Sequence, residues 1–159
     1  MEIERKFLLK SLPADLETYP HTELEQAYLA SGGTTVRVRR DGDRYVLTVK
    51  KKSKESEYRT KEILARIEIE EEIDRDLYER LLHHAESKVI RKTRYRIPYL
   101  KYTIELDIFH GELEGLQLAE IEFPNMEEAK LKKLPEWFGE DVTEDKRYRN
   151  SHLAKHGLS

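Results

Sequence analysis

Apolar and charged side chains alternate along much of this chain, beginning with its first residues. In Met1-Glu2-Ile3-Glu4-Arg5-Lys6-Phe7-Leu8-Leu9, the charges of Glu2, Glu4 and Lys6 alternate with Ile3, Phe7 and Leu9. Successive side chains of an extended strand point to opposite faces, so this spacing predicts a strand with two carboxylates and an ammonium on one face. One such strand would be unremarkable, because a surface strand turns its charged face to water. Here the pattern recurs: Arg37 and Arg39 alternate with Val36 and Val38, and Arg66, Glu68 and Glu70 with Ala65, Ile67 and Ile69. Lys92 and Arg94 precede a Tyr95/Ile97 face, Glu105 and Asp107 alternate with Ile104, Leu106 and Ile108, and Glu120 and Glu122 with Ala119, Ile121 and Phe123.

Taken in order, the chain predicts a first strand, a short helical turn around Ser11-Leu12-Pro13, and a strand over residues 22–30 ending at Gly32-Gly33. Residues 34–40 and 44–51 form a hairpin around Asp41-Gly42-Asp43, and 57–73 is a long, loosely alternating stretch. Residues 74–85 change to helical spacing, with Asp74 as N-cap and Leu77, Leu81 and Leu82 on one stripe. Strands return over 88–97, 101–109 and 116–123, the first two separated by Pro98-Tyr99-Leu100. The remainder reads as an amphipathic helix at 126–134, a turn at 135–139 and a last helix at 149–156.

About eight strands sharing a polar face predict an α+β, mainly β fold: a closed eight-stranded antiparallel β-barrel with flanking helices. Closure places the charged faces in a wet lumen and the apolar faces outside, under the helices. No linker or internal boundary interrupts residues 1–159, so one domain is expected.

Composition narrows the chemistry. Charged residues make up 38% of the chain, but 29 basic against 32 acidic residues leave a net charge of only -3, which argues against a nucleic-acid binder. With no cysteine there is neither a disulfide framework nor a thiolate nucleophile. No apolar run reaches the length of a membrane span and nothing reads as a signal peptide, so a soluble, cytoplasmic protein with no membrane partner is expected. A homodimer is among the oligomeric states left open.

The predicted lumen gathers Glu2, Glu4, Glu68, Glu70, Glu105, Asp107, Glu120 and Glu122 beside Lys6, Arg37, Arg39, Lys50, Arg66, Lys92 and Arg94. Converging Arg and Lys side chains need an anion between them, and guanidinium forks match phosphate oxygens. Clustered carboxylates need a cation, and hard oxygen ligands suit Mg²⁺ or Mn²⁺. A metal-bound polyphosphate meets both needs.

The opening Glu2-Ile3-Glu4-Arg5-Lys6 resembles the ExExK signature of the CYTH domain, or triphosphate tunnel metalloenzyme, superfamily. The likeness continues through Arg37-Val38-Arg39, Thr48-Val49-Lys50, Lys92-Thr93-Arg94-Tyr95, Glu105-Leu106-Asp107 and Glu120-Ile121-Glu122. It reaches Val142-Thr143-Glu144-Asp145-Lys146-Arg147-Tyr148-Arg149-Asn150, which is similar to the tail of the short bacterial members. The resemblance implies an eight-stranded tunnel that acts on triphosphates with divalent metal. Glu2, Glu4, Glu120 and Glu122 would bind metal, with Asp107 and Glu68 or Glu70 as further ligands or water-positioning groups. Lys6, Arg37, Arg39, Lys50, Lys92 and Arg94 would hold phosphates, and Lys6, Lys92 and Tyr28 are the candidate catalytic groups. Arg66 either binds phosphate or pairs with its neighbouring glutamates, Tyr28 either positions water or packs, and Lys146 and Arg147 either close the mouth or cap the last helix.

Other motifs carry less. The basic run Lys50-Lys51-Lys52-Ser53-Lys54 reads as a solvated loop apart from Lys50. His152 and His156 have the spacing of a helical zinc pair, but Leu153 stands where HExxH has its glutamate, so both read as surface residues. No phosphate-binding P-loop motif is present. The expected activity is hydrolysis of inorganic tripolyphosphate to pyrophosphate and phosphate. The alternatives are a nucleoside or thiamine triphosphatase or an adenylyl cyclase of the same superfamily, and a non-catalytic polyphosphate-binding module.

Overall fold

The computed structural model describes residues 3–52, 66–130 and 133–158. Among them, nine strands form one antiparallel sheet: β1 (Ile3–Leu9), β2 (His21–Ala30), β3 (Thr34–Asp41), β4 (Arg44–Lys52), β5 (Arg66–Ile73), β6 (Ile90–Tyr99), β7 (Tyr102–Phe109), β8 (Gln117–Phe123) and β9 (Phe138–Asp141). Their order across the sheet is β5-β4-β3-β2-β6-β7-β8-β1-β9. Three short helices accompany them, α1 (Arg75–His83), α2 (Met126–Ala129) and α3 (Asn150–His156).

The turns follow their local chemistry. Asp41 pairs with Arg44, leaving Gly42-Asp43 as a two-residue hairpin loop, with Gly42 at φ 60° as such a loop requires. β6 does not stop before Pro98, which pairs with Thr103 inside the ladder; the turn comes at Leu100-Lys101, and Leu100 takes φ 55°. Asp74 caps α1 by accepting the Leu77 N–H at 2.8 Å. The buried residue of that helix is Tyr78, which packs on Tyr45 and donates its hydroxyl to Glu25, while Leu77 stays exposed. Of the expected long strand at 57–73, residues from Arg66 onward are β5; residues 57–65 lie outside the described residues.

Two features depart from the sequence reading. First, β9 forms where a turn was expected, pairing with β1 next to an irregularity at Phe7/Leu9. A Cβ at Gly139 would sit 3.0 Å from the Leu8 carbonyl oxygen, so the close approach requires glycine. β1 thus has both edges taken, by β8 and β9, and among the described residues no hydrogen-bonded ladder joins β5 to the other end of the sheet. Among the described residues the barrel is curled but not closed by backbone pairing, and β9 takes the outer edge of β1 at Phe7 and Leu9. Second, α3 lies inside the curl. Its Leu153 and Ala154 pack with Tyr148 and Val142 on Tyr28, Ile90, Phe109 and Leu118, which form an apolar tier at one end of the inner face.

The larger apolar cluster lies on the convex face, as alternation demands. Ile3, Phe7, Tyr95, Ile97, Ile104, Leu106, Ile121, Phe123 and Phe138 are buried there with Ala129 of α2. No described helix is long and apolar enough to cross a membrane.

Candidate active site

The inner face encloses a cavity of about 1090 Å³, lined by side chains from each of β1 to β8. This is the upper end of the range of small-molecule sites, but its polar lining is unlike the apolar lining usual there. Strand register determines which charges meet. Glu4 stands opposite Glu122 and Lys6 opposite Glu120 on β1 and β8; Glu105 stands opposite Glu120 on β7 and β8. Arg37 pairs with Thr48, and Lys50 with Glu68, on the β3–β4–β5 side.

Beneath the cavity wall, Asp107 is held by two cations. Arg94 Nε donates to its Oδ1 at 2.7 Å and a terminal nitrogen of the same guanidinium to Oδ2 at 2.9 Å; Lys92 Nζ lies 2.8 Å from Oδ2. Burial alone would raise the Asp107 pKa, but Lys92 and Arg94 hold it well below the usual carboxylate range. Burial pushes Lys92 down to about 7, against the pull of Asp107 and with added repulsion from Arg94 and Arg39. Lys92 has no exposed surface, and its ammonium also reaches Asn150 Oδ1 at 3.3 Å, so it lies below the cavity and touches the C-terminal segment.

Arg94 continues the network to the lining carboxylates, 3.2 Å from Glu105 and 4.0 Å from Glu120. Lys6 Nζ sits 3.5 Å from Glu120 and donates to the Tyr148 carbonyl at 2.9 Å. Burial opposes ionisation of Glu120, but Lys6 and Arg94 bring its pKa below the ordinary value. Opposite, Arg39 donates from Nε to Gln26 Oε1 at 2.8 Å, Arg37 reaches Thr48 Oγ1 at 3.3 Å, and Lys50 is 3.7 Å from Glu68. Burial lowers the pKa of both Arg39 and Lys50, and in each case the Arg37 charge adds to the shift. These cations are brought close at a cost in mutual repulsion that an incoming polyanion would relieve.

Of the residues expected in the lumen, Glu4, Lys6, Arg37, Arg39, Lys50, Glu68, Glu70, Arg94, Glu105, Glu120 and Glu122 line this cavity, as does the candidate Tyr28. Lys92 and Asp107 are buried behind it. Glu2 and the side chain of Arg66 lie outside the described residues. Tyr28 packs in the apolar tier and also lines the cavity. Lys146 lines the cavity too, whereas Arg147 pairs with Asp145 at 2.7 Å.

The sequence reading missed the C-terminal contribution: Arg149, Asn150, Ser151, His152, Lys155 and His156 also line the cavity. The two histidines are therefore not simply surface residues, and their rings stack at 4.7 Å. The i, i+4 spacing was the available signal, but it does not reveal which side of the sheet receives the helix.

For a metal, the relevant observation is the direct opposition of Glu4 and Glu122 on one face of adjacent strands. Like charges so placed repel, and a divalent cation between hard oxygen donors removes the repulsion. Among the described residues no three acidic or histidine side chains converge as a ready ligand cluster. The donor set therefore fits a cation that takes part of its coordination from water and phosphate oxygens, as Mg²⁺-like ions do.

Comparison with known proteins agrees with this architecture. The CYTH domain family matches residues 1–155. An inorganic triphosphatase of Nitrosomonas europaea is 39% identical over 158 residues, covering 96% of each chain, and one of Acetivibrio thermocellus is 38% identical over 156 residues, covering 97% of this chain and 93% of the other. The crystal structure of an inorganic triphosphatase superposes with a TM-score of 0.70 at 36% identity, covering 100% of this chain and 95% of that one. A Hippeastrum protein described as an adenylyl cyclase with dominant triphosphatase activity shares the fold at 20% identity, with a TM-score of 0.60 over 82% of this chain and 83% of that one. Family membership implies a divalent metal and a small triphosphate ligand, in keeping with opposed carboxylates facing clustered arginines; with the match spanning nearly all residues, this chain belongs to the CYTH domain family.

Proposed function

We infer that this protein hydrolyses inorganic triphosphate to pyrophosphate and phosphate, with Mg²⁺ or Mn²⁺ as the metal. One observation carries the reading: a single cavity in which Glu4 and Glu122 oppose one another while Arg37, Arg39, Lys50 and Arg94 line the same space. Relatives named inorganic triphosphatase, at 38–39% identity over nearly the whole chain, support it.

Phosphoryl transfer asks mostly for positioning and charge neutralisation. Arg37 and Arg39 hold the phosphate chain from one wall, and Arg94 and Lys6 from the other. Asp107 locks the Arg94 guanidinium in place through two hydrogen bonds, so that its remaining donors face Glu105, Glu120 and the cavity. Glu4 and Glu122 would hold the metal, with Glu2 as a third carboxylate supplied by the same sequence motif, and Glu120, Glu68 and Glu70 are further carboxylates lining the cavity. When bound, the metal neutralises phosphate charge and lowers the pKa of a coordinated water. Lys92 supports the wall from behind through Asp107 and Asn150, and Tyr28 lines it opposite Arg37 in the β2–β3 register.

A base or thiazole would need an aromatic or apolar seat. The described lining offers Tyr28 and two histidines amid charged groups, which favours a bare phosphate chain over a nucleotide or thiamine ester. The test is phosphate release from tripolyphosphate, ATP and thiamine triphosphate in parallel, each with Mg²⁺, Mn²⁺ or EDTA. Metal-dependent turnover concentrated on tripolyphosphate supports the reading. Preference for either ester replaces it with that activity, and binding without turnover makes the protein a binding module.

A further inference from the structure

The cavity is electrically two-sided. Every carboxylate lining it comes from a strand, whereas Lys146, Arg149, His152, Lys155 and His156 reach it from the C-terminal segment, which contributes no lining carboxylate. On α3, Ser151, His152, Lys155 and His156 form one stripe at spacings of three and four, while Leu153 and Ala154 anchor the other side in the apolar tier. The segment is tied to the lysines of the site: Lys6 donates to the Tyr148 carbonyl and Lys92 to Asn150.

Within this bank, Nε2 of His152 is buried without a hydrogen-bond partner. Buried polar nitrogens are nearly always satisfied, so the unpaired Nε2 leaves no internal hydrogen bond to compete with an anion, and a turn of the ring toward the cavity that His152 lines would let it donate to one. Lys155, one turn on, stands exposed at the same wall. A terminal phosphate has three free oxygens and more negative charge than an internal one, so it calls for donors beyond those that cradle the middle of the chain.

We propose that the α3 stripe is a subsite for a terminal, unesterified phosphate group, with His152 and Lys155 as its donors. This rests on the triphosphatase reading and specifies which part of the substrate meets α3. The subsite makes the enzyme sensitive to the end of the phosphate chain as well as to its length.

The probes are linear tripolyphosphate and cyclic trimetaphosphate, which has three phosphorus atoms but no terminal group. Calorimetric binding to metal-free protein in EDTA is compared for the wild type and the His152→Phe/Lys155→Met variant, which removes both donors while keeping an aromatic ring and an unbranched chain. The expected result is that the variant binds the linear anion about fivefold or more weakly and the cyclic one unchanged, with an unaltered melting temperature. Equal losses for both anions, no loss for either, or no detectable binding of the linear anion by wild type would overturn the assignment. Because binding is read without metal or turnover, this outcome is separate from the hydrolysis assay, where failure of the triphosphatase reading appears as no phosphate release from tripolyphosphate.

Discussion

Asp107 and the Glu4–Glu122 pair lie on the same inner face of the sheet, yet they do opposite work. Asp107 is buried with its two oxygens already taken by Lys92 and Arg94. Glu4 and Glu122 are set against each other across β1 and β8 and line the open cavity. The first carboxylate holds the protein's own cations in place; the second pair belongs to the proposed metal site. On that proposal Asp107 acts through Arg94, Lys92 and stability, and the glutamates act through the reaction.

Substitutions that leave shape intact separate the two roles. Asp107→Asn strands two buried cations and is expected to destabilise the fold by about 3–5 kcal/mol, read by urea unfolding. A loss below 1 kcal/mol would mean that Asp107 is not the keystone of the network. Glu122→Gln, or Glu4→Gln, should lower kcat by about 10²–10³-fold while stability changes by less than about 1 kcal/mol, because the substitution keeps the shape of the side chain and removes one charge at the cavity wall. Near-full activity in either variant would remove the metal from this pair.

A thermal shift sharpens the same contrast. Saturating Mg²⁺ or Mn²⁺ at about 100 times Kd should stabilise the wild type by about 2.7 kcal/mol and should do little for Glu122→Gln. Arg39→Ala, on the opposite wall, is expected to raise KM for tripolyphosphate by about tenfold with a smaller effect on kcat, measured by steady-state kinetics.

The smallest effect is a pH slope. Lys92 has a folded pKa of about 7, below its unfolded value of about 10.4. Between these values the unfolded chain binds the extra proton, so stability rises with pH, by at most about 1.4 kcal/mol per unit. It is lost as pH falls toward 7. Urea titrations at pH 7.5 and 9 should show this slope in wild type and its absence in Lys92→Met.

Period-two alternation determined much of this molecule before any folding. It assigned Glu4, Lys6, Arg37, Arg39, Lys50, Arg94, Glu120 and Glu122 to one face, because strand geometry leaves a side chain only two directions. It also assigned the hairpin at Gly42, where backbone torsion is a local property. Three things were decided by tertiary structure. Asp107 has the same alternation as Glu105 but sinks behind the wall, since only the cross-strand meeting with Arg94 and Lys92 neutralises it. β9 took the edge of β1 at Phe7 and Leu9, an encounter between residues about 130 positions apart, and among the described residues the curled sheet has no closing ladder. And α3 entered the curl: the sequence reading predicted only a last helix there, and its place depended on the tier of Tyr28, Ile90, Phe109 and Leu118 at one end of the inner face. Periodicity describes one element at a time, and a site built where elements meet depends on packing that no single element encodes.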